Sequence, residues 1–228
     1  MSMSRPAPMK AELDHVFILC DADAPEAAAL SRMGLVEGSG NTHPGQGTAC
    51  RRFFFRNAYL ELAWVHSESE ARSQLAGPVR LWERWSRRRQ GGCPFGIALR
   101  PSADGGAADP PFAAWAYEPP YLPSGLTIHV ARDTPLTEPA LFFMAFQGGR
   151  ARAGQEPVTH AIPAREITGV RIGCPPPGAG SDAARSVERT GVLSFTTSRD
   201  YVLDLTFDLG AAGETADLRP DLPLVMRW

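Results

Sequence analysis

The chain has no apolar run approaching the roughly 20 residues of a membrane-spanning helix, and its opening Met1 to Lys10 carries no apolar core behind a basic start. A cytoplasmic protein is expected, with no membrane partner. It also lacks an excess of one charge: 23 Lys and Arg residues stand against 25 Asp and Glu, a net charge of -2. That balance gives no overall attraction to nucleic acid or anionic lipid. The strands do not interleave basic and stacking aromatic residues, which argues against single-strand nucleic-acid binding. There is no Gly-x-Gly-x-x-Gly loop, no Walker-type lysine and no Gly-x-Ser-x-Gly elbow, so nucleotide and serine-hydrolase chemistry fall away. The four cysteines, Cys20, Cys50, Cys93 and Cys174, form no Cys-x-x-Cys, which argues against a zinc knuckle and a redox dithiol, and they read as buried free thiols. A small-molecule ligand remains as the expected partner; a homodimer is left open.

The 22 glycines and 21 prolines imply many turns and long irregular loops, so a mainly helical fold is disfavoured. With 43% hydrophobic and 21% charged residues the chain reads as an ordinary globular protein, either one large domain or two small fused units. Residues 1–10 read as a disordered N-terminus. From 11 to 68 the pattern is β-α-β-β-β: a strand ending near Cys20, a helix from Glu26 to Met33 stopped by Gly34, a brief strand at Leu35-Val36, a loop from Gly38 to Gly47, then strands Thr48 to Phe55 and Tyr59 to Val65. Residues 69–94 read as a connecting helix with Leu75, Val79, Trp82 and Ser86 on one stripe. Its arginines are expected to face solvent, and the run Arg84, Arg87, Arg88 and Arg89 reads as a solvated helix end. Residues 95–160 form a degenerate second module around strands at Phe95, Thr127 and Leu141, with Pro119, Pro120 and Pro123 making a rigid lid or crossover. Residues 161–228 hold a partial βαβ repeat and a tail: Val170, Ile172 and Cys174 echo Val16, Ile18 and Cys20. In that register Gly169 replaces His15 and Asp204 replaces Glu61, so any chemistry concentrates in the first copy.

Two apolar strands each carry one metal-capable side chain. Alternation puts His15 on a face with Leu13, Phe17 and Leu19, and Glu61 on a face with Tyr59, Ala63 and Val65. If the faces coincide they line one pocket, where a carboxylate needs an imidazole or a cation to offset desolvation. Their bland reading is a buried hydrogen-bonded pair. His129 would complete a three-ligand facial set; its bland reading is a half-exposed strand histidine. His43 sits in Thr42-His43-Pro44-Gly45-Gln46-Gly47-Thr48, where an imidazole can serve as general base near neutral pH and the glycines expose amides beside Thr48.

Leu13-Asp14-His15, the His43 loop and Tyr59-Leu60-Glu61-Leu62 together resemble the vicinal oxygen chelate superfamily, in its glyoxalase-like domain branch. The resemblance implies an α+β fold of repeated βαβββ modules forming a cupped mixed sheet with helices on the outer face. It further implies a divalent metal held by His15 and Glu61, in a pocket walled by Phe17, Arg52, Phe54 and Tyr59 with Thr48 nearby. As an enzyme the protein would use the ion as a Lewis acid on a small oxygen-bearing substrate, as a lyase, isomerase or dioxygenase, with His43 or the carboxylate of Glu61 moving a proton. The alternative is a metal-free protein that binds or sequesters a small molecule in the same cup.

Overall fold

The computed structural model describes residues 11–103, 109–146 and 155–228; the expected disordered segment 1–10 and the middle of the Gly/Ala-rich stretch after Pro101 lie outside them. The first module runs β1 (Ala11–Leu19), α1 (Ala27–Met33), β2 (Asn41–His43), β3 (Thr48–Phe54) and β4 (Tyr59–Val65). Gly34 ends α1 in the left-handed region, φ 106°, with its N–H returned to the last turn. Leu35-Val36 is not a strand. The second strand falls instead inside the expected loop, because the turn at Pro44 to Gly47 brings His43 back opposite Thr48.

The connecting helix expected over 69–94 is broken into α2 (Glu68–Ala71), a 3-10 turn (Gly77–Val79) and α3 (Leu81–Arg87). Pro78 supplies no N–H for a continuous ladder, and Arg80 turns left-handed at φ 64°. Leu75, placed on the apolar stripe by helical spacing, is 48% exposed in consequence. Arg84, expected in solvent, is buried, while Arg88 and Arg89 pair with Asp21.

The second module is β5 (Phe95–Pro101), β6 (Ala114–Tyr117), β7 (Ile128–Ala131) and β8 (Ala140–Met144). All eight strands join one curled sheet in the order β2-β3-β4-β1-β5-β8-β7-β6, a palindrome about the antiparallel β1–β5 seam. On the seam His15 faces Ala98, Val16 faces Ile97 and Phe17 faces Gly96, so the pseudo-twofold passes through Val16–Ile97. It relates His15 to Gly96 and Phe17 to Ala98. Glu61 pairs with Phe17 and Phe142 pairs with Ala98, so Glu61 corresponds to Phe142.

Alternation sorts the side chains into two layers. Phe17, Leu19, Cys50, Ala63, Ala98 and Phe142 face the concave side, while Val16, Ile18, Phe53, Leu60, Ile97 and Leu99 are buried on the convex side. The convex face is covered by α1 and by a second sheet: β9 (Ile167–Cys174), α4 (Asp182–Glu188), β10 (Ser194–Thr197), β11 (Val202–Phe207), β12 (Thr215–Asp217) and β13 (Leu224–Arg227), ordered β10-β9-β11-β13-β12. Helices are thus only part of the outer layer, and α3 packs at the rim of the cup through Leu81.

The C-terminal echo is not a topological copy. β9-α4-β10 is a βαβ unit with adjacent parallel strands, but β11 runs antiparallel to β9, whereas β4 runs parallel to β1. Asp204 therefore has no site equivalent to that of Glu61; its carboxylate pairs with Arg227 at 3.0 Å.

Candidate functional site

The concave face encloses about 1070 Å³, its open mouth included. β1 brings two residues to it through one irregularity. Between Leu13 and His15 the pairing with β5 slips by one residue, a bulge that inserts Asp14. The slip reverses the alternation: Leu13 packs on the convex side rather than with His15, and Asp14 joins the cavity lining.

Asp14, buried at 1% exposure, places Oδ1 2.8 Å from His15 Nδ1 and Oδ2 3.2 Å from Arg100 Nη1. Burial pushes its carboxyl up, and the His15 hydrogen bond with the charges of His15 and Arg100 outweighs that, holding it below its ordinary value. A carboxylate at Nδ1 fixes the proton there, so in neutral His15 the lone pair on Nε2 is left toward the cup. Nε2 lies 3.7 Å from Glu61 Oε2. Two acceptors face each other across that gap; a proton, a donor-bearing ligand or a cation satisfies both.

Glu61 is 7% exposed and receives no hydrogen bond from a nitrogen among the described residues. Its cross-strand neighbour is Arg52. Arg52 donates Nε to Ser39 O at 2.8 Å and Nη2 to Ser39 Oγ at 2.8 Å, leaving Nη1 without a protein acceptor among the described residues. The guanidinium lies over Phe54 at 5.0 Å, Phe54 meets Tyr59 at 5.2 Å, and Tyr59 stacks on His15 at 4.5 Å. One continuous stack thus stiffens this wall.

His43 caps the wall from the turn. Its Nδ1 is 2.9 Å from Thr48 Oγ1, its Nε2 is 3.0 Å from Asn41 Nδ2, and its ring packs on Tyr121 at 4.7 Å. Burial pushes its pKa down, with the Glu61 charge opposing. Gly45 holds φ 78°, and a Cβ there would come within 2.4 Å of Pro120 Cγ. That contact seats the Pro-rich segment after β6, placing Tyr121 and Leu122 over the cup.

The opposite wall is apolar at each related position. Gly96 stands for His15 and Phe142 for Glu61, with Ile128 and Met144 beside them. A Cβ on Gly96 would lie 2.0 Å from the Phe17 ring, so that ring fills the space a donor would need. Tyr117 adds the wall's one orphan, a buried hydroxyl without a partner among the described residues, its pKa pushed up to about 12 by burial.

The structure brings His15, Phe17, His43, Thr48, Arg52, Phe54, Tyr59 and Glu61 to one cavity. It does not bring His129, whose neighbours Ile128 and Val130 take the concave face while its own ring packs beside Phe143 on the convex side. Residues that strand alternation missed are Asp14 and Arg100, hidden by the bulge, and Cys50, Tyr117 and Tyr121. A metal ligand set shared between the two modules does not fit this cup, since Gly96 and Phe142 offer no donor. A different cluster does form within the first module, where ligand atoms of His43, Cys50 and Glu61 lie within 4.8 Å of one another.

The curled sheet with two pseudo-twofold halves is the vicinal oxygen chelate architecture. A family model described as a glyoxalase-like domain matches residues 13–190, and the chain belongs to that family. No curated protein matches it. Among solved structures it is similar to a hypothetical protein from Staphylococcus aureus, with TM-score 0.53 and 10% identity over 95% of this chain and 98% of that one. A hypothetical protein BH1468 from Bacillus halodurans C-125 aligns over 59% of this chain and 93% of its own, with TM-score 0.37 and 16% identity.

Proposed function

We propose that the cup binds a small amphiphilic molecule, its oxygen-bearing head on His15, Glu61 and Arg52 and its apolar body against Phe142, Ile128 and Met144. The observation that carries this reading is the division of one cavity into a charged half and an apolar half by a pseudo-twofold that would otherwise repeat the same chemistry. A hydroxyl or enol on the head donates to one of the two acceptors, His15 Nε2 or Glu61 Oε2, a second O–H or N–H of the ligand serves the other, and Arg52 Nη1 donates to a carbonyl or carboxylate oxygen. Asp14 fixes the tautomer of neutral His15 and aims Nε2 into the cup, which equips the same site to take a proton from an acidic C–H or O–H of the ligand. The test is calorimetric titration with a panel of aryl and alkyl hydroxy acids and hydroxyketones. Glu61→Gln should weaken a hit by about tenfold or more, the usual consequence of losing a charge-assisted hydrogen bond. Phe142→Ala should weaken only members with an apolar body. Binding that ignores both substitutions defeats the proposal.

A second reading is favoured by the His43, Cys50 and Glu61 cluster: a divalent ion held within the first module. There the ion would supply a Lewis acid for a ligand oxygen, and a thiolate ligand favours a borderline or soft metal such as zinc or cobalt. Burial, with the Glu61 charge, pushes the Cys50 thiol up, so it ionises only against a metal. Cobalt(II) titration tests this: a thiolate-to-metal absorption band that Cys50→Ser removes is the expected result, and a spectrum that stays flat rejects it.

A further inference from the structure

A second cavity, enclosing about 640 Å³, opens between the 3-10 turn with α3 and the β7–β8 edge. Arg80, Arg84 and Arg132 line it together with Asp133 and Thr134. Arg84 is 3% exposed, and among the described residues its hydrogen bonds go to backbone carbonyls: Glu138 O by Nη1, Thr134 O and Pro135 O by Nη2. Its Nε has no acceptor among the described residues. Arg80 reaches Thr134 O at 3.4 Å, and Arg132 uses Nε on Ala114 O at 2.9 Å, leaving terminal nitrogens of both free. None of the three arginines, nor Asp133, forms an ion pair among the described residues. The buried acid Glu138 spends Oε1 on the amides of Gly180 and Ser181 at 2.8 and 2.9 Å; its Oε2 has no hydrogen-bond partner among the described residues, and its charge opposes the lowering of the Arg84 pKa without forming an ion pair with it.

A guanidinium removed from water without a paired carboxylate is costly, and a neighbouring guanidinium adds to the cost. Both act here: burial first, then the Arg80 charge, lower the Arg84 pKa to about 10. Thr134 adds an independent sign. It is 5% exposed, lines the cavity, and its Oγ1 has no partner among the described residues. One buried and two exposed cations lining the cavity with one exposed carboxylate, beside an orphan hydroxyl, are the features of an unfilled oxyanion site.

We propose that this cavity is a second ligand site, separate from the cup, that takes a tetrahedral oxyanion, either free phosphate or a small phosphate monoester. The anion accepts from Arg84 Nε and the free Arg80 and Arg132 nitrogens, and Thr134 Oγ1 donates to it. Leu81 lines the cup and the preceding Val79 and Arg80 line this cavity, so an anion held here sits next in sequence to the rim of the cup.

The probes are inorganic phosphate and glycerol 3-phosphate, measured by calorimetry and by thermal melting at matched ionic strength in chloride. Phosphate should raise the melting temperature of the full chain in a saturable way. Arg80→Ala and Arg132→Ala, which leave the buried Arg84 in place, should each weaken binding about tenfold. Glu61→Gln in the cup should leave it unchanged. Tighter binding of glycerol 3-phosphate than of phosphate assigns the site to a monoester, and the reverse order assigns it to the free ion. The proposal is overturned if phosphate and chloride give the same melting curve, if neither arginine variant alters binding, or if Glu61→Gln abolishes it. Should Arg80→Ala not fold, Arg132→Ala and Arg80→Lys decide the matter.

Discussion

Asp14 accepts through each carboxylate oxygen, from the Arg100 guanidinium behind it and the His15 Nδ1–H in front, so its charge is a structural requirement rather than an ornament of the cup. Removing one member of a buried, hydrogen-bonded charge group costs about 3–5 kcal/mol, because the partner left behind keeps its desolvation penalty. Asp14→Asn is expected to fall near the lower end in urea denaturation, since Arg100 retains Glu12 and the Asn57 carbonyl. The same substitution should shift the His15 proton from Nδ1 toward a mixture of tautomers, visible in the imidazole nitrogen resonances. The pH dependence follows from the sign of the shift. Asp14 is held below its unfolded value of 3.8, so its stabilisation is complete above 3.8 and is lost as pH falls through the lower folded value. The wild-type urea midpoint should therefore drop more steeply than that of Asp14→Asn in this acid range. His43 is likewise lowered from 6.5 by burial, so its stabilisation, complete above 6.5, declines as pH falls through its folded value. A His43 ring-proton titration with a midpoint above 6.5 would contradict this. The sequence made His15, His43 and Glu61 legible because polar groups in apolar strands or Gly-flanked turns stand out. It hid Asp14, which strict alternation turns away from the cup and only an inserted residue turns back.

At the scale of the elements, the β1–β5 seam decides what the cup can hold. Phe17 reaches across it and occupies the space over Gly96, where the pseudo-twofold would set a counterpart of His15. A methyl group at Gly96 meets the Phe17 ring first, and overpacking of this kind costs about 1–3 kcal/mol. Gly96→Ala should be destabilised by that amount, whereas on a Phe17→Ala background, itself destabilised by loss of the ring, the same change should cost little. A double-mutant cycle in which the two changes simply add would show that the ring does not guard this position. Strands were the readable elements: β1, β3, β4 and β5 declare themselves through alternation and through Gly or Asn at their ends. The connecting segment was not, because the spacing of Leu75, Val79 and Trp82 fits a helix that Gly77-Pro78 interrupts, and breaking the helix is what buries Arg84.

The whole molecule depends on a layer that the modules do not supply themselves. Val16, Ile18, Leu60, Leu62, Ile97 and Leu99 are all essentially inaccessible on the convex face, in one core with Ile172, Leu203, Leu205 and Phe207 of the second sheet. Each such side chain is worth about 1.5–3 kcal/mol on burial. Exposing even half of them removes a large share of the roughly 5–15 kcal/mol by which a domain is stable. The join is specific as well as apolar. Asn57 donates Nδ2 to Ile167 O at 2.7 Å and accepts from Ile167 N at 2.9 Å, Phe55 meets Phe207 at 4.7 Å, and His160 bridges Val36 N and Phe54 O at 3.1 and 3.0 Å. In that bridge His160 Nε2 donates to Phe54 and Nδ1 accepts from Val36, a neutral structural role that uses both ring nitrogens. The sequence hinted at the layer through its echo of β1, yet the echo concerned the residues that bury an apolar strand and carried nothing of the pairing order, which is set by long-range contacts. A chain ending at residue 160 should therefore fail to fold and should aggregate through the bare convex face, whereas the full chain should unfold in a single transition. The check is urea unfolding of the full chain followed by tryptophan fluorescence and by far-ultraviolet circular dichroism. Coincident curves are expected; a separate early transition, or a soluble and cooperatively folded 1–160 fragment, would show that the cup stands without its outer sheet.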